Sequence, residues 1–294
     1  MARLLVTGAN GKLGRDVIRH LLETVGVSAQ DVIAASRDTS ALSDLKDRGI
    51  EIRKADFSDA ATLATAFDGI DRALIISTDA LAVPSLRLTQ HKAAIAAAQQ
   101  AGVSHILYTS MPEPETSLVS FAPDHHGSEE AIRATGIAYT ILRNAWYHDN
   151  YLMSMPHNLQ GGKWFTATGS GKVATISRDD CALAAAIALA KPPAGNRILT
   201  LTGASSLTAD EVAATVSEAA GKPLEVVQVN GEQLAAGMAA AGLPDFLVRM
   251  LASADANIAA GKFDIVTDDY KTLTGRDPQS LQAFLQENRN VLLG

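Results

Sequence analysis

Three glycines near the N-terminus have the spacing of a phosphate-binding turn. Gly8, Gly11 and Gly14 lie between an apolar run, Leu4–Val6, and a helix-like stretch over residues 13–22. In such a unit the first glycine permits the tight turn, the second lets the backbone approach a pyrophosphate, and the third lets the helix pack on the strand. The N–H groups and positive dipole end of the helix then face the anion. The residues predicted to hold a dinucleotide here are Gly8, Ala9, Asn10, Gly11, Lys12 and Leu13.

The end of the second predicted strand distinguishes between the two nicotinamide cofactors. An Asp or Glu there would accept hydrogen bonds from ribose hydroxyls, whereas an Arg suits the 2′-phosphate of NADPH. The chain has Ser36 and Arg37 at this point, followed by Asp38. We predict that Arg37 binds the 2′-phosphate and that NADPH is preferred to NADH. A register shift of one residue would place Asp38 there instead, and Arg37 would then be a solvated cation.

Polar residues also follow the third and fourth predicted strands. Asp56 and Phe57 would form an adenine pocket, with the carboxylate accepting from the adenine amine. The alternative is that Asp56 or Ser58 caps the helix that begins at Ala60. Ser77 and Thr78 lie at the carboxyl edge of the sheet, where open α/β proteins bind their ligands. They are predicted neighbours of the ribose and the nicotinamide.

A common catalytic pair of reductases with this fold is missing. In that pair a Lys lies four residues after a Tyr and lowers the pKa of the phenol. None of the five tyrosines has a Lys at this spacing. The sequence therefore argues against a conventional alcohol dehydrogenase or sugar epimerase.

Other residues after the fifth and sixth strands are candidates for chemistry. We expect Asn144 to bind the nicotinamide carboxamide or a substrate carbonyl, and Tyr108 and His125 to help orient the acceptor. Trp146 and Tyr147 would form a stacking wall for a flat acceptor. The alternatives are that Tyr108 and Trp146 pack in the core, and that His125 belongs to a solvated helix N-terminus.

The elements that must position these residues alternate along the first half of the chain. Strands are predicted over residues 3–7, 32–36, 51–54, 72–76, 105–109 and 138–143, and helices over 13–23, 40–47, 60–67, 86–101 and 128–134. His125 and His126 would precede the last of these helices. The alternation predicts an α/β fold with a Rossmann-type doubly wound parallel sheet.

The pattern changes after Trp146. Residues 147–171 are predicted to form a loop with short strands, followed by a helix over 181–189 and a strand over 197–201. A capping-box spacing, Thr208 and Glu211, precedes a helix over 212–219. A strand over 226–229, a mainly helical stretch over 232–256 and a helix over 278–285 complete the chain. We expect a dinucleotide-binding domain over residues 1–150 and a smaller α/β domain over 151–294, with some of its segments returning to the first sheet.

Composition excludes several classes of function. The 294 residues carry a formal net charge of −7, which argues against nucleic acid as a partner. The single Cys181 cannot form an internal disulfide, and neither a signal peptide nor an apolar run long enough to span a membrane is evident. The seven histidines are scattered without the spacing of a metal site. We expect a cytoplasmic protein with a small-molecule partner and leave a homodimer open.

With these residues identified, the chain resembles the NmrA-like branch of the atypical short-chain dehydrogenases/reductases. Within it, the likeness is greatest to the bacterial type 2 quinone oxidoreductases and the triphenylmethane reductases. The resemblance rests on TGANGKLG (residues 7–14), Ser36-Arg37, YTS (108–110) and above all YTILRNAWY (139–147).

The resemblance implies NADPH held by the glycine turn, Arg37, Ser77-Thr78 and Asn144, in a cleft between the two domains. It also implies hydride transfer to a flat quinone that depends on positioning instead of a dedicated acid. Two alternatives stay open. One is a dinucleotide-binding redox sensor without turnover. The other is a reductase of another conjugated electrophile, such as a triphenylmethane dye.

Overall fold

The computed structural model describes residues 2–294, and within them a central sheet of seven strands is the largest sheet. In chain order the strands are β1 (Leu4–Val6), β2 (Val32–Ser36), β3 (Glu51–Lys54), β4 (Arg72–Ile75), β5 (His105–Ser110), β6 (Ala138–Asn144), β7 (Trp146–Tyr147), β8 (Lys163–Thr166), β9 (Lys172–Val173), β10 (Thr175–Ile176), β11 (Arg197–Leu201), β12 (Leu207–Thr208) and β13 (Glu225–Gln228). The six strands predicted before residue 145 are confirmed, each to within one residue at either end.

The central sheet has the order β3-β2-β1-β4-β5-β6-β11, and every pairing in it is parallel. The order reverses between β1 and β4. In open α/β sheets this reversal opens a crevice beyond the carboxyl ends of the strands, and ligands bind there. The glycine turn follows β1 and Ser77 follows β4, so both predicted cofactor segments meet at this crevice.

Helices cover both faces of the central sheet. In chain order, the α-helices of residues 2–294 are α1 (Lys12–Glu23), α2 (Ser43–Asp47), α3 (Ala60–Phe67), α4 (Leu86–Gln100), α5 (Ala122–Ala134), α6 (Tyr151–Gly161), α7 (Arg178–Ala190), α8 (Ala209–Ala220), α9 (Gly231–Ala240), α10 (Asp245–Ala259), α11 (Asp269–Thr274), α12 (Leu281–Glu287) and α13 (Arg289–Leu293). Because side chains alternate along a strand, Leu4 and Val6 pack in the core beneath α1 and α7, whereas Leu5 packs beneath α3 and α4. The predicted doubly wound α/β architecture is confirmed.

Two helix predictions are wrong. Helix α5 begins at Ala122, so His125 and His126 lie within it and do not precede it. Pro123 is compatible with this start because the first-turn N–H groups have no partner inside a helix. The stretch predicted as loop contains α6, whose buried residues Tyr151, Met155 and Leu159 recur every fourth position and form an apolar stripe.

Two elements from beyond residue 150 belong to the central sheet layer. Strand β11 pairs with β6 along its whole length, and α7 packs on α1 through alanines and leucines. Helices α6, α8 and α12 instead form a separate apolar core. The domain division at residue 150 stays a prediction.

Within residues 2–294, no helix is both long enough and apolar enough to cross a membrane.

Helix α1 lies directly against the turn after β1. A Cβ atom on Gly14 would lie 2.4 Å from the carbonyl oxygen of Gly8 and 2.9 Å from the Cα of Ala9. Any side chain at this position would push the helix away from the strand. Gly8 has a φ of +61°, in the left-handed region that other residues rarely adopt.

We predict that Gly14→Ala destabilises the protein by about 1–3 kcal/mol, the usual range for a steric insertion into a packed site. Gly237→Ala is the matched control. Gly237 lies inside α9, and a Cβ atom added to it would meet no other atom within 4 Å. The control should stabilise the protein by up to about 1 kcal/mol, because alanine favours helix interiors. Urea unfolding measures both, and equal stabilities would contradict the steric account.

Candidate active site

The turn between β1 and α1 leaves backbone donors available for an anion. The N–H of Gly11 donates to the carbonyl of Gly8 at 2.9 Å, and the N–H of Ala9 donates to Ala35 of β2 at 3.0 Å. Within residues 2–294, no side chain caps α1 at Gly11 and no acidic residue lies in its first turn. The first N–H groups of a helix need an external acceptor. A pyrophosphate fits this turn, and the exposed Lys12 adds a cation beside it.

Arg37 and Asp38 differ in how firmly their own contacts hold their side chains. One carboxylate oxygen of Asp38 accepts from the backbone N–H and the hydroxyl of Ser40, at 2.9 and 2.6 Å. Among residues 2–294, the side chain of Arg37 has one polar contact, an exposed one of 3.5 Å from its Nη2 to a carboxylate oxygen of Asp79. Such a surface pair contributes about 0–1 kcal/mol. Arg37 can therefore turn to a 2′-phosphate at small cost, whereas Asp38 is held by its own turn.

The residue that caps α3 is Asp59. Its carboxylate accepts from the N–H of Ala61 at 3.0 Å, so the alternative that Asp56 or Ser58 is the cap is wrong. Asp56 instead accepts from the N–H of Ser58 at 2.9 Å. Phe57 is buried in the core under α3 and α4. The adenine-pocket role of Asp56 and Phe57 stays a prediction.

Hydrogen bonds from beneath hold the chain segment after β4 in place. The N–H of Ser77 donates to Oγ1 of Thr109 on β5 at 2.9 Å. The N–H of Thr78 donates to Nε2 of His91 on α4 at 2.9 Å. Both backbone groups are thereby fixed at the edge of the sheet where the strand order reverses.

A buried network of aromatic rings lies under this edge. Arginine only donates, so Nε2 of His125 accepts from Arg87 at 2.9 Å, and its Nδ1–H donates to the hydroxyl of Tyr108 at 2.9 Å. Because Nε2 of His91 accepts from Thr78, the proton of that ring is on Nδ1, which lies 3.2 Å from the same hydroxyl. The donor and acceptor roles thus assign both histidine tautomers.

Burial keeps these rings uncharged. It lowers the pKa of His91 to about 3 and the pKa of His125 well below its usual value, and the charge of Arg87 contributes to both shifts. Burial also raises the pKa of Tyr108. Tyr108 is 0% and His125 3% exposed. The interpretation of His125 as part of a solvated helix N-terminus is wrong, and both side chains lie inside the fold beneath the cleft edge.

Asn144 ends β6, where an ion pair fixes the backbone. The preceding Arg143 donates from Nε and Nη2 to the two oxygens of the buried Glu129, at 2.9 and 2.7 Å. Ser110 of β5 donates to the same carboxylate at 2.7 Å. Nδ2 of Asn144 donates to the hydroxyl of Tyr147 at 2.9 Å. The amide is therefore oriented by one side chain, and its carbonyl oxygen is left to another partner.

Trp146 belongs to an apolar group that joins both halves of the chain. Its ring centroid lies 5.9 Å from that of Phe263, and Phe121 packs against the same group. We call Trp146, Phe263 and Phe121 the aromatic cluster. Trp146 therefore packs in an apolar core, as the alternative expected, and Tyr147 lies apart from the aromatic cluster, where its hydroxyl accepts from Asn144. The role of Trp146 and Tyr147 as a stacking wall for a flat acceptor stays a prediction.

Unpartnered polar atoms are concentrated at this edge. Within residues 2–294, eight buried side-chain nitrogen or oxygen atoms have no hydrogen-bond partner, and five of them lie after β4 or β6 or near the starts of α4 and α5. These five are Thr78 Oγ1, Arg87 Nη1, Gln90 Oε1, His126 Nδ1 and Asn144 Oδ1. Buried polar groups are nearly always bonded in folded proteins. Their concentration here indicates a polar ligand at the crevice, and a dinucleotide with an acceptor fits that requirement.

In the same residue range, no group of three or more His, Cys, Asp or Glu side chains could hold a metal ion.

Comparison with known proteins agrees with this geometry. The model of the NmrA-like family matches residues 1–265. This chain belongs to the NmrA-like family. Quinone oxidoreductase 2 of Escherichia coli (strain K12) is 36% identical over 271 residues, which are 92% of each chain. The expected family is confirmed.

Two solved structures extend the likeness to three dimensions. The NADPH-dependent quinone oxidoreductase of Escherichia coli in complex with NADPH has a TM-score of 0.92 at 34% identity, over 97% of this chain and 99% of that one. The triphenylmethane reductase of Citrobacter sp. in complex with NADP(H) has a TM-score of 0.90 at 34% identity, with the same coverage.

Sequence reasoning missed four residues of the site: Arg87, His91, Glu129 and Phe263. One signal was available for the first two, because residues four apart on a helix share a face, and Arg87 and His91 have this spacing. Nothing in the sequence pairs Glu129 with Arg143 or Phe263 with Trp146, since both contacts join distant segments.

The neutral state of His91 predicts a pH dependence of stability. In the unfolded chain a histidine takes up a proton near pH 6.5, whereas folded His91 stays neutral down to about pH 3. The neutral ring therefore contributes fully to the free energy of unfolding above pH 6.5, and this contribution is lost as the pH falls. The free energy of unfolding should decrease by about 2 kcal/mol between pH 7 and pH 5 for this reason. We expect His91→Gln to weaken this dependence by about that amount. Urea unfolding at pH 5, 6 and 7 measures how the free energy of unfolding changes with pH. His157→Gln is the control, because His157 is exposed. If His91→Gln has the same pH dependence as the wild type, His91 is not held neutral by the fold.

Proposed function

We propose that this protein is an NADPH-dependent reductase that transfers a hydride to a quinone. The observation that carries the proposal is the group of unpartnered buried polar atoms at the sheet edge, beside a helix α1 whose first N–H groups lack a cap. The Escherichia coli relative, itself a quinone oxidoreductase with a structure in complex with NADPH, supports the choice of cofactor and acceptor.

The residues that would hold the cofactor follow the strand ends in order. The turn of residues 8–13 would bind the pyrophosphate and Arg37 the 2′-phosphate, while Asp56 would accept from the adenine. Ser77, Thr78 and Asn144 would face the ribose and the nicotinamide. When bound, NADPH supplies the hydride.

The chain's own side chains would act by orientation. The aromatic cluster offers an apolar surface for a flat acceptor, and Oδ1 of Asn144 is free to accept a hydrogen bond because Nδ2 is already bound to Tyr147. Tyr108 and His125 would act as positioning residues, since they hold Arg87 and His91 from beneath. Orientation of this kind can supply much of the rate acceleration without a dedicated acid. Water would then protonate the reduced acceptor.

A cationic triphenylmethane dye is a second candidate acceptor. The observation in its favour is the structural likeness to the Citrobacter sp. triphenylmethane reductase at 34% identity. A redox sensor without turnover is the third hypothesis. A cytoplasmic location and a homodimer stay predictions.

Steady-state NADPH oxidation with a panel of simple quinones tests the function. We expect turnover by the wild type and a loss of about 10-fold or more in kcat for Asn144→Ala, whose Oδ1 is the free acceptor. Tyr147→Phe is the matched control, because it removes the bond to Nδ2 and keeps Oδ1. It should lose less than Asn144→Ala. Tight NADPH binding without turnover of any quinone or dye would favour the sensor and reject the enzyme.

The cofactor preference has its own test. Arg37→Gln should weaken NADPH binding about 10- to 100-fold and leave NADH binding nearly unchanged, because one charged hydrogen bond contributes about 1.5–3 kcal/mol. Asp38→Asn is the control and should change neither affinity by much, since Ser40 occupies that carboxylate. Calorimetric titration gives all four dissociation constants. Equal losses for the two cofactors in Arg37→Gln would remove the phosphate assignment.

A further inference from the structure

Arg87 is a buried cation without a carboxylate partner. Only 6% of the residue is exposed. Its Nε donates to the carbonyl of Thr78 at 2.7 Å and its Nη2 to the ring of His125 at 2.9 Å. Nη1 is buried and has no hydrogen-bond partner among the residues that the structure describes. Within residues 2–294, no carboxylate oxygen lies within the 4.0 Å of an ion pair.

A buried charge of this kind destabilises the folded protein unless an opposite charge lies nearby. An arginine keeps its charge in a protein, and removing a charge from water without a counter-charge costs several kcal/mol. The burial lowers the pKa of Arg87, and Asp124 and Asp79 oppose this only through space. The ring of His125 is neutral and offers no negative charge. An anion, permanent or transient, is the missing partner.

The position of the guanidinium indicates which anion this would be. Its central carbon lies 5.0 Å from the ring centroid of Phe121, a member of the aromatic cluster. Its Nε also donates to the carbonyl of Thr78, which follows β4 at the crevice. Arg87 thus contacts both a member of the aromatic cluster and the edge assigned to the nicotinamide.

We propose that Arg87 binds, through Nη1, the acceptor oxygen that becomes negatively charged during reduction. This inference rests on the proposed function. A quinone that takes up a hydride at one carbonyl oxygen gains two electrons and one proton. That oxygen becomes a hydroxyl, and an electron pair shifts through the ring onto the opposite oxygen to give a hydroquinone monoanion. NADPH is oxidised to NADP⁺ in the same step, and water later supplies the second proton. A fixed guanidinium stabilises the oxyanion more than the neutral quinone, which is the requirement for lowering the barrier.

A purely structural role makes different predictions. If Arg87 only fixes the loop through Thr78, its loss would weaken NADPH binding and stability without regard to the charge of the acceptor. The test therefore needs a readout of negative charge at the site.

The probe is 4-nitrophenol added to the NADP⁺-loaded protein, with the phenolate absorbance followed against pH. It resembles a hydroquinone with one oxygen that titrates near neutral pH. The wild type should bind the phenolate form, so that the bound probe ionises at lower pH than the free one. Arg87→Gln should weaken this binding about 10- to 100-fold and return the ionisation towards that of the free phenol. Unchanged phenolate binding by Arg87→Gln, or no binding by the wild type, would overturn the proposal.

Two further variants keep the test decisive. Arg87→Lys retains the charge and should keep most of the phenolate binding. If a folded Arg87→Lys protein does not bind the phenolate, the proposal is also overturned. This outcome can be read even where Arg87→Gln does not fold. Arg53→Gln is the matched control. Arg53 is another largely buried arginine that binds backbone carbonyls, at the end of α3. It should leave phenolate binding unchanged.

Turnover separates charge from position. Arg87→Gln should lower kcat for quinones about 10- to 100-fold with NADPH affinity within about twofold of the wild type. A cationic triphenylmethane dye loses its charge on taking up hydride, so the variant should reduce it at least as fast as the wild type does. Equal losses with both acceptors would contradict the proposal. Absence of quinone turnover in the wild type would reject the proposed function alone, because the phenolate measurement reads Arg87 independently.

Discussion

The direct contact between helix α1 and the turn after β1 sets the geometry of the whole site. It exists because Gly14 has no Cβ, which would otherwise lie 2.4 Å from the carbonyl oxygen of Gly8. The contact places the uncapped first turn of α1 where the strand order reverses. The ends of β2 and β4 flank it, one carrying Arg37 and the other Ser77. One steric condition therefore aligns the residues proposed for the phosphates with those proposed for the ribose and nicotinamide.

Beyond that turn, two buried hydrogen-bonded systems support the cleft edge in different ways. The bidentate pair of Glu129 and Arg143 fixes the end of β6, and each charge has its counter-charge. The rings of Tyr108, His91 and His125 hold the end of β4 and are all neutral. Arg87 is the exception, because it bonds to a carbonyl and a neutral ring and has no counter-charge among residues 2–294. Because Arg143 has a carboxylate counter-charge in this residue range and Arg87 does not, we assign a structural role to Arg143 and a binding role to Arg87.

Much of the architecture was predictable because it depends on local patterns. The glycine spacing and the strands β1 to β6 follow from nearest neighbours in the sequence. The start of α5 was missed because Pro123 and two histidines obscure its periodicity. Helix α6 was missed because its Met, Asn and Gly content suggested a loop. Site residues were proposed mainly at strand ends, such as Arg37 directly after β2 and Asn144 at the end of β6, and their roles stay predictions. Glu129 and Phe263 contact distant segments, which no local spacing records, and the spacing of Arg87 and His91 shows only that they share a helix face.

The central claim is that a phosphate-bearing cofactor lies across the turn of residues 8–13. Calorimetric titration of the purified protein with NADPH, paired with a thermal melt of the same samples, tests it most directly. The account predicts saturable binding at one NADPH per chain and a melting temperature that rises with NADPH concentration. No heat of binding and an unshifted melting temperature at millimolar NADPH would contradict it.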